Sequence, residues 1–395
     1  MGYLVLLYYF NFYLYESDDL FESSSFKYIL LAFFSIFVFI SEILFLPLYN
    51  KLLLVLKNKQ HDQKKLEFFR YAHFSLILFT TIVLVSPISS PKIIPMHKLQ
   101  SGSYYDVKYS IREGKLFALN QCKQQIEVFT LDGNNFPQII YKPNYKRESG
   151  WNIGHFISLN DDRRELYFTD RARQELIIMD TSDYSVKKAI KSDFVDSGDN
   201  YLVSGDNTIY GLTEDYLCVY KINLNSDSNN ILFRCLFDGE GAFMEINKTK
   251  ELLYIMNWKT PSLEYSIYVL DANNLSFHKK HTAPLSGMMI TSTNNKIIYQ
   301  NISNELRILD ADSFSIIDRF KLPFTTQDTI FDEKRQLLFA GNFFTGIINI
   351  IDLKTKNTIS YQRCSDCYTR RIALDTKTRR FFVATYSGGV CVGNY

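Results

Sequence analysis

The chain has 395 residues and a formal net charge of +2, with 44 Lys and Arg against 42 Asp and Glu. That balance excludes a globally basic nucleic-acid binder, and the length exceeds what one small domain needs. The average conceals a split: residues 1–91 are dominated by Leu, Ile, Phe, Val and Tyr, whereas 92–395 place Asn, Asp, Lys and Ser between short apolar runs. The first part reads as a membrane anchor and the second as one large domain.

Three apolar runs, 2–15, 28–48 and 68–88, are the candidate transmembrane helices. The run 28–48 can cross a hydrocarbon core of ~30 Å at ~1.5 Å per residue. The run 68–88 can do so if Arg70 snorkels. The run 2–15 is short for a span and reads as a tilted or truncated span, an interfacial segment or a signal-peptide core. No basic n-region precedes it and no small-residue cleavage site follows, which disfavours the last. Lys51, Lys57, Lys59, Lys64, Lys65 and Arg70 make the loop before the last run cytoplasmic, whereas Glu16, Asp18, Asp19 and Glu22 mark the preceding loop as outside. Everything after Ile88 is therefore expected outside the cytoplasm, on a protein integral to the cytoplasmic membrane. Glu42 reads either as an intramembrane acid or as a residue one turn before Pro47, near the headgroups.

Beyond residue 100 one phrase recurs: a short apolar run, a polar gap, then a second apolar run often ending in Asp. Leu166, Tyr167 and Phe168 precede a run ending at Asp180; Leu253, Tyr254 and Ile255 precede one ending at Asp271; Leu337, Leu338 and Phe339 precede one ending at Asp352. The anchors Phe117, Tyr167, Tyr210, Tyr254, Tyr299, Phe339 and Phe382 lie 40 to 50 residues apart. A repeat of ~40–45 residues built from short strands predicts an all-β propeller, here of seven four-stranded antiparallel blades. Within one unit the inner strand is predicted over 154–159, the next over 166–170, the third over 175–180 and the outer over 186–190. Imperfect alternation in the middle strands is expected where both faces are buried. The third unit is the least regular, with Asn223 where others have Asp.

The last unit supplies only three strands before the chain stops. The segment 92–99 is predicted to be the missing outer strand of the seventh blade, closing the ring, with Pro95 tolerated because an outer strand is an edge.

These units resemble the YVTN-type repeats of YncE-like seven-bladed propellers. Leu166-Tyr167-Phe168-Thr169-Asp170 with Ile178-Met179-Asp180-Thr181 carries the resemblance, as does Leu338-Phe339-Ala340-Gly341-Asn342 with Ile350-Ile351-Asp352-Leu353-Lys354-Thr355. The resemblance implies a propeller used as a binding platform, a scaffold or occasionally an enzyme. The multi-span anchor departs from the family pattern.

Cys364-Ser365-Asp366-Cys367 reads as a redox pair, half a zinc site or a local disulfide; outside the cytoplasm the disulfide is preferred. Cys218 and Cys235 flank a polar turn and become cross-strand neighbours if the third and fourth strands of their blade form a hairpin. Cys122 and Cys391 have no obvious partner in the sequence. The loops entering the inner strands and those joining second to third strands share one face. There the sequence puts Arg147, Trp151, His155, Arg171, Arg173, Trp258, Lys259, Phe343, Arg363, Arg370 and Arg371. Basic and aromatic side chains in this mixture suit an anionic or glycan-like ligand; ordinary solvated loops have a similar composition.

No nucleophile elbow, zincin helix or phosphate-binding loop is present, and most Asp and Asn fall at turn positions. The expectation is a membrane-anchored, extracytoplasmic binding or scaffold module for a protein, glycan or small ligand, with no catalytic residue and no cofactor. The alternative is a propeller hydrolase or lactonase with a divalent metal in the central channel.

Overall fold

In a computed structural model of the chain, the described residues are 93–395 without 132–136, 145–151, 192–201, 205–206, 213–217, 226–230, 236–239, 260–263, 284–285, 293–295, 302–304, 322–325, 343–344 and 365–367. The three apolar runs and Glu42 therefore lie outside the described residues, as do Arg147, Trp151, Phe343 and Cys367.

Seven antiparallel sheets follow one another along the chain and form a seven-bladed propeller. Blade one is Tyr104–Ser110, Lys115–Asn120, Gln125–Thr130 and Gln138–Tyr141. Blade two is Ser158–Asn160, Glu165–Asp170, Glu175–Asp180 and Val186–Lys191. Blades three, four and five begin at the inner strands Leu202–Ser204, Glu240–Asn247 and Ser286–Ser292. Blade six is Thr326–Asp332, Leu337–Asn342, Ile347–Asp352 and Asn357–Arg363; blade seven has Thr369–Asp375, Arg380–Thr385 and Gly389–Asn394.

The core is a ring of interfaces. Seven clusters of buried apolar side chains occur among the described residues, and each joins two consecutive blades. Successive residues of one strand serve opposite neighbours, because strand side chains alternate between faces. Leu166 and Phe168 pack with Phe117 and Leu119 of blade one, while Tyr167 packs with Ile209 and Tyr220 of blade three. Tyr104, Val107 and Leu116 meet Phe382 and Val390, which closes blade one onto blade seven. This two-sided burial is why Glu165–Asp170 and Leu337–Asn342 are buried along their whole length.

Turns repeat one device. The strand-ending Asp or Asn accepts a hydrogen bond from the amide three residues on, and the next residue takes a left-handed conformation. Asp170 accepts from Arg173, with Gln174 at φ 60°. Asp352 accepts from Lys354 at 2.8 Å and Thr355 at 3.3 Å, with Lys356 at φ 61°. In blade three Asn223 accepts instead from the amide two residues on, that of Asn225, at 3.0 Å. Asp352→Ala is expected to lower stability by about 1 kcal/mol in urea unfolding, and Asp352→Asn by less than half of that. Equal losses for the two would show that the carboxyl's acceptor role does not matter.

Two expectations about strands are corrected. Blade two's inner strand is Ser158–Asn160 rather than 154–159. Gly154 lies so close to Thr169 that a Cβ would overlap its side chain, and this stretch is held by the isolated bridge of Ile153 to Asp170 and by the Gly154 amide donating to the Thr169 carbonyl at 3.0 Å instead of by a continuous ladder. The closing segment, predicted as one outer strand, is split in two. Ile93–Pro95 pairs in parallel with Asn357–Arg363 as a fifth strand of blade six, and His97–Gln100 pairs antiparallel with Gly389–Asn394 as the outer strand of blade seven. Buried Met96 sits between them and donates its amide to the Arg363 carbonyl at 2.9 Å. Insertion of an apolar side chain into the interface between blades six and seven separates the two strands.

Cys218 pairs directly with Cys235 across neighbouring strands, and the two form a disulfide. Cys364 is bonded to Cys391, not to Cys367. Cys391 points from the third strand of blade seven into its interface with blade six, where the outer strand of that blade ends, so the bond joins two blades.

Candidate functional site

Blades seven, one and two bring a cationic, aromatic cluster to the mouth of the central channel. It begins with Tyr104, whose buried hydroxyl donates to Glu127 Oε2 at 2.5 Å. Glu127 also accepts from Asn120 Nδ2 and Gln125 Nε2, so a carboxylate within an otherwise apolar strand is fully engaged. This pins the start of the inner strand and aims Tyr105 at the mouth. The Tyr105 ring stacks on His155, centroids 4.4 Å apart, and meets the edge of Phe156 at 5.6 Å. The Arg370 guanidinium lies 4.8 Å from the Tyr105 ring and 5.2 Å from that of Tyr386. Arg371 lies 4.8 Å from the Phe156 ring. Each is within cation–π range.

His155 is only 9% exposed. Burial, reinforced by Arg171 and Arg370, pushes its pKa down to about 3. The imidazole is therefore neutral, and the positive charge at the mouth belongs to the arginines.

Below the stack, charged side chains enter from the inner strands. Pairing registers shift after Tyr104, Thr326 and Thr369, which places Asp106, Asp328 and Arg371 at equivalent positions in blades one, six and seven. Both aspartates tie their blade to the next one. Asp106 Oδ2 accepts from the Ile157 amide at 3.0 Å, and Asp328 Oδ2 from the Ile372 amide at 2.6 Å. Arg371 Nη1 is 3.5 Å from Asp328 Oδ1, and Lys108 Nζ is 3.0 Å from Asp106 Oδ1. Burial raises Asp328 to about 6 against the pull of Arg371 and Lys108. One tier lower, Glu245 and Lys108 pair with the anchors Tyr254 and Phe117. Glu245 keeps some surface yet is enclosed by protein, as a side chain facing an internal channel must be. That enclosure raises its pKa to about 8, with Lys108 opposing and Asp328 adding to the rise. Among the described residues no three His, Cys, Asp or Glu side chains form a metal-ligand group.

Of the sequence-predicted loop residues, His155, Arg171, Arg370 and Arg371 converge. Arg173 is exposed in the turn after Asp170, and Arg363 donates from Nε to the Thr345 carbonyl at 3.0 Å, outside the stack. Trp258 and Lys259 end the second strand of blade four, with only their backbone described. Sequence reasoning missed Tyr105, Phe156 and Tyr386, and the channel residues Asp106, Lys108, Glu245 and Asp328. The available signal was a charged residue inside an inner strand whose neighbours are apolar.

A second cavity of about 580 Å³ lies along the closing segment, lined by Ile94, Leu99, Gln362, Arg380 and Val392 among others. Two of its polar members are committed: Arg380 to Asp375 at 3.1 Å, and Gln362 to the Asn394 carbonyl at 2.6 Å.

No family model matches the sequence, and no curated protein does. Solved structures match the fold. A chain of the mitotic checkpoint complex superposes with a TM-score of 0.61 at 8% identity, covering 78% of this chain and 94% of that one. The Cps50 (Swd1) β-propeller domain of Myceliophteria thermophila gives 0.60 at 10% identity, covering 76% and 99%. Hydrazine synthase of Kuenenia stuttgartiensis gives 0.60 at 12%, covering 78% and 99%. At these identities the likeness establishes a β-propeller and no activity.

Proposed function

We propose that the protein is a membrane-tethered, extracytoplasmic binding module that takes an acidic protein partner at the channel mouth. The observation that carries this is the stack of Arg370, Tyr105 and His155 beside Arg371 and Phe156. Arg370, held over the rings of Tyr105 and Tyr386, is preorganised for a carboxylate or a carboxylate-rich loop, whereas Arg371 beside it is buried against Asp328. The two disulfides support an oxidising compartment. The apolar runs before residue 92 support the tether, and the strand phrases ending in a turn-forming Asp support kinship with YVTN-type repeats.

The test is capture of partners from membranes by the full-length protein. Arg370→Ala is expected to reduce capture at least tenfold, in the range of an interface hot spot. Lys191→Ala, on the outer strand of blade two, is expected to leave it unchanged. Equal capture by wild type and Arg370→Ala would overturn the assignment of the mouth.

A further inference from the structure

Opposite each second-strand anchor, register places one inner-strand residue, and these residues make a single tier of the ring. In five blades the residue carries no charge, from Ser158 in blade two to Ala373 in blade seven. The exceptions are Lys108, opposite Phe117 in blade one, and Glu245, opposite Tyr254 in blade four. The tier nearer the mouth adds Asp106, Asp328 and Arg371. Together the two tiers hold three acids and two bases.

Each base already serves an acid. Lys108 Nζ lies 3.0 Å from Asp106, and Arg371 Nη1 lies 3.5 Å from Asp328. Glu245 is the remaining charge. Lys108 and Asp328 are near enough to act on it, with opposite signs, yet neither bonds to it. It has no hydrogen bond or ion pair among the described residues, although protein encloses it. It nevertheless keeps accessible surface, so the enclosure leaves space beside it.

An enclosed carboxylate without a cation costs stability, and a bound cation removes that cost. A divalent metal calls for several oxygen ligands, whereas no three His, Cys, Asp or Glu side chains come together among the described residues. A primary ammonium needs a single carboxylate for a charge-assisted hydrogen bond. Its carbon stem suits a tier that is uncharged in five of seven blades.

We propose that Glu245 holds a small primary amine in the central channel, with the ammonium bonded to the carboxylate. The site is separate from the stack at the mouth and does not rest on the acidic-partner reading.

The test is calorimetric titration of the full-length protein with propylammonium chloride at pH 8.5 and constant ionic strength, where carboxylate and ammonium are both charged. A Kd of about 1 mM or below is expected, within what four non-hydrogen atoms can supply. Propanol and potassium chloride in about tenfold excess should not compete. Glu245→Gln should weaken binding at least about tenfold, whereas Glu333→Gln, at an exposed turn of blade six, should leave it unchanged. In the wild type, propylammonium should also slow hydrogen exchange of the Glu240–Asn247 amides, a readout that does not depend on any variant folding. No binding at about 10 mM amine, displacement by potassium, undiminished binding by Glu245→Gln, or unchanged exchange in that strand would each overturn the proposal. Arg370→Ala should bind the amine as the wild type does, so the mouth and the channel site can fail separately.

Discussion

Glu245→Gln is expected to stabilise the propeller by about 3 kcal/mol at pH 8.5 and by almost nothing at pH 4.5. The carboxyl titrates near 8 in the folded protein against an ordinary value of 4.5. The folded state thus binds the proton more tightly than the unfolded chain, and stability falls as pH rises from about 4.5 through 8. Above that window folding leaves a carboxylate enclosed in the channel, opposed only in part by Lys108. Gln keeps the shape and removes the charge. His155 acts with the opposite sign: its folded value near 3 lies below the ordinary 6.5, so stability is lost as pH falls from about 6.5 toward 3. Denaturant midpoints of both proteins between pH 4.5 and 9 decide the matter. A difference between Glu and Gln that does not vary with pH would show that the carboxyl titrates alike in the folded and unfolded chain and is therefore not enclosed.

Gly389→Ala is expected to cost about 3 kcal/mol or more, among the largest effects of any single methyl in this chain. Gly389 has φ +103°, where a side chain is strained, and a Cβ there would overlap the carbonyl oxygen of Gln100. That oxygen belongs to the outer strand of blade seven, supplied by the start of the domain. The contact is with backbone, so no rotamer change relieves it, and the closing strand must shift. Gly114 also has a positive φ but meets nothing within 4 Å, so Gly114→Ala should lose only the strain of its backbone. Equal melting temperatures for the two variants would argue that Gln100 is not seated against Gly389.

The propeller was legible because its repeat is written twice, once in apolar anchors and once in turn chemistry. Phe117, Tyr167 and Phe339 each fill an interface between blades, and the Asp residues after the third strands are acceptors for turn amides. What escaped depends on neighbours distant in sequence. Cys391 appeared to lack a partner because its partner ends the outer strand of another blade. Met96 divides the closing segment because it fits a cluster made by blades six and seven together. At the mouth, arginine and histidine were visible as loop residues, whereas Tyr105 lay hidden in a strand. A pair of adjacent tyrosines does not reveal that Glu127 fixes the first and leaves the second to stack on His155.

The parallel strand Ile93–Pro95 has a mechanical consequence. A pull on the preceding chain along the strand axis strains its pairs with Tyr361, Gln362 and Arg363 together, in shear, instead of peeling them one at a time. The bond between Cys364 and Cys391 passes part of that tension from blade six to blade seven. The pairing of the closing segment with two blades and the disulfide between them thus share a load applied at the start of the domain.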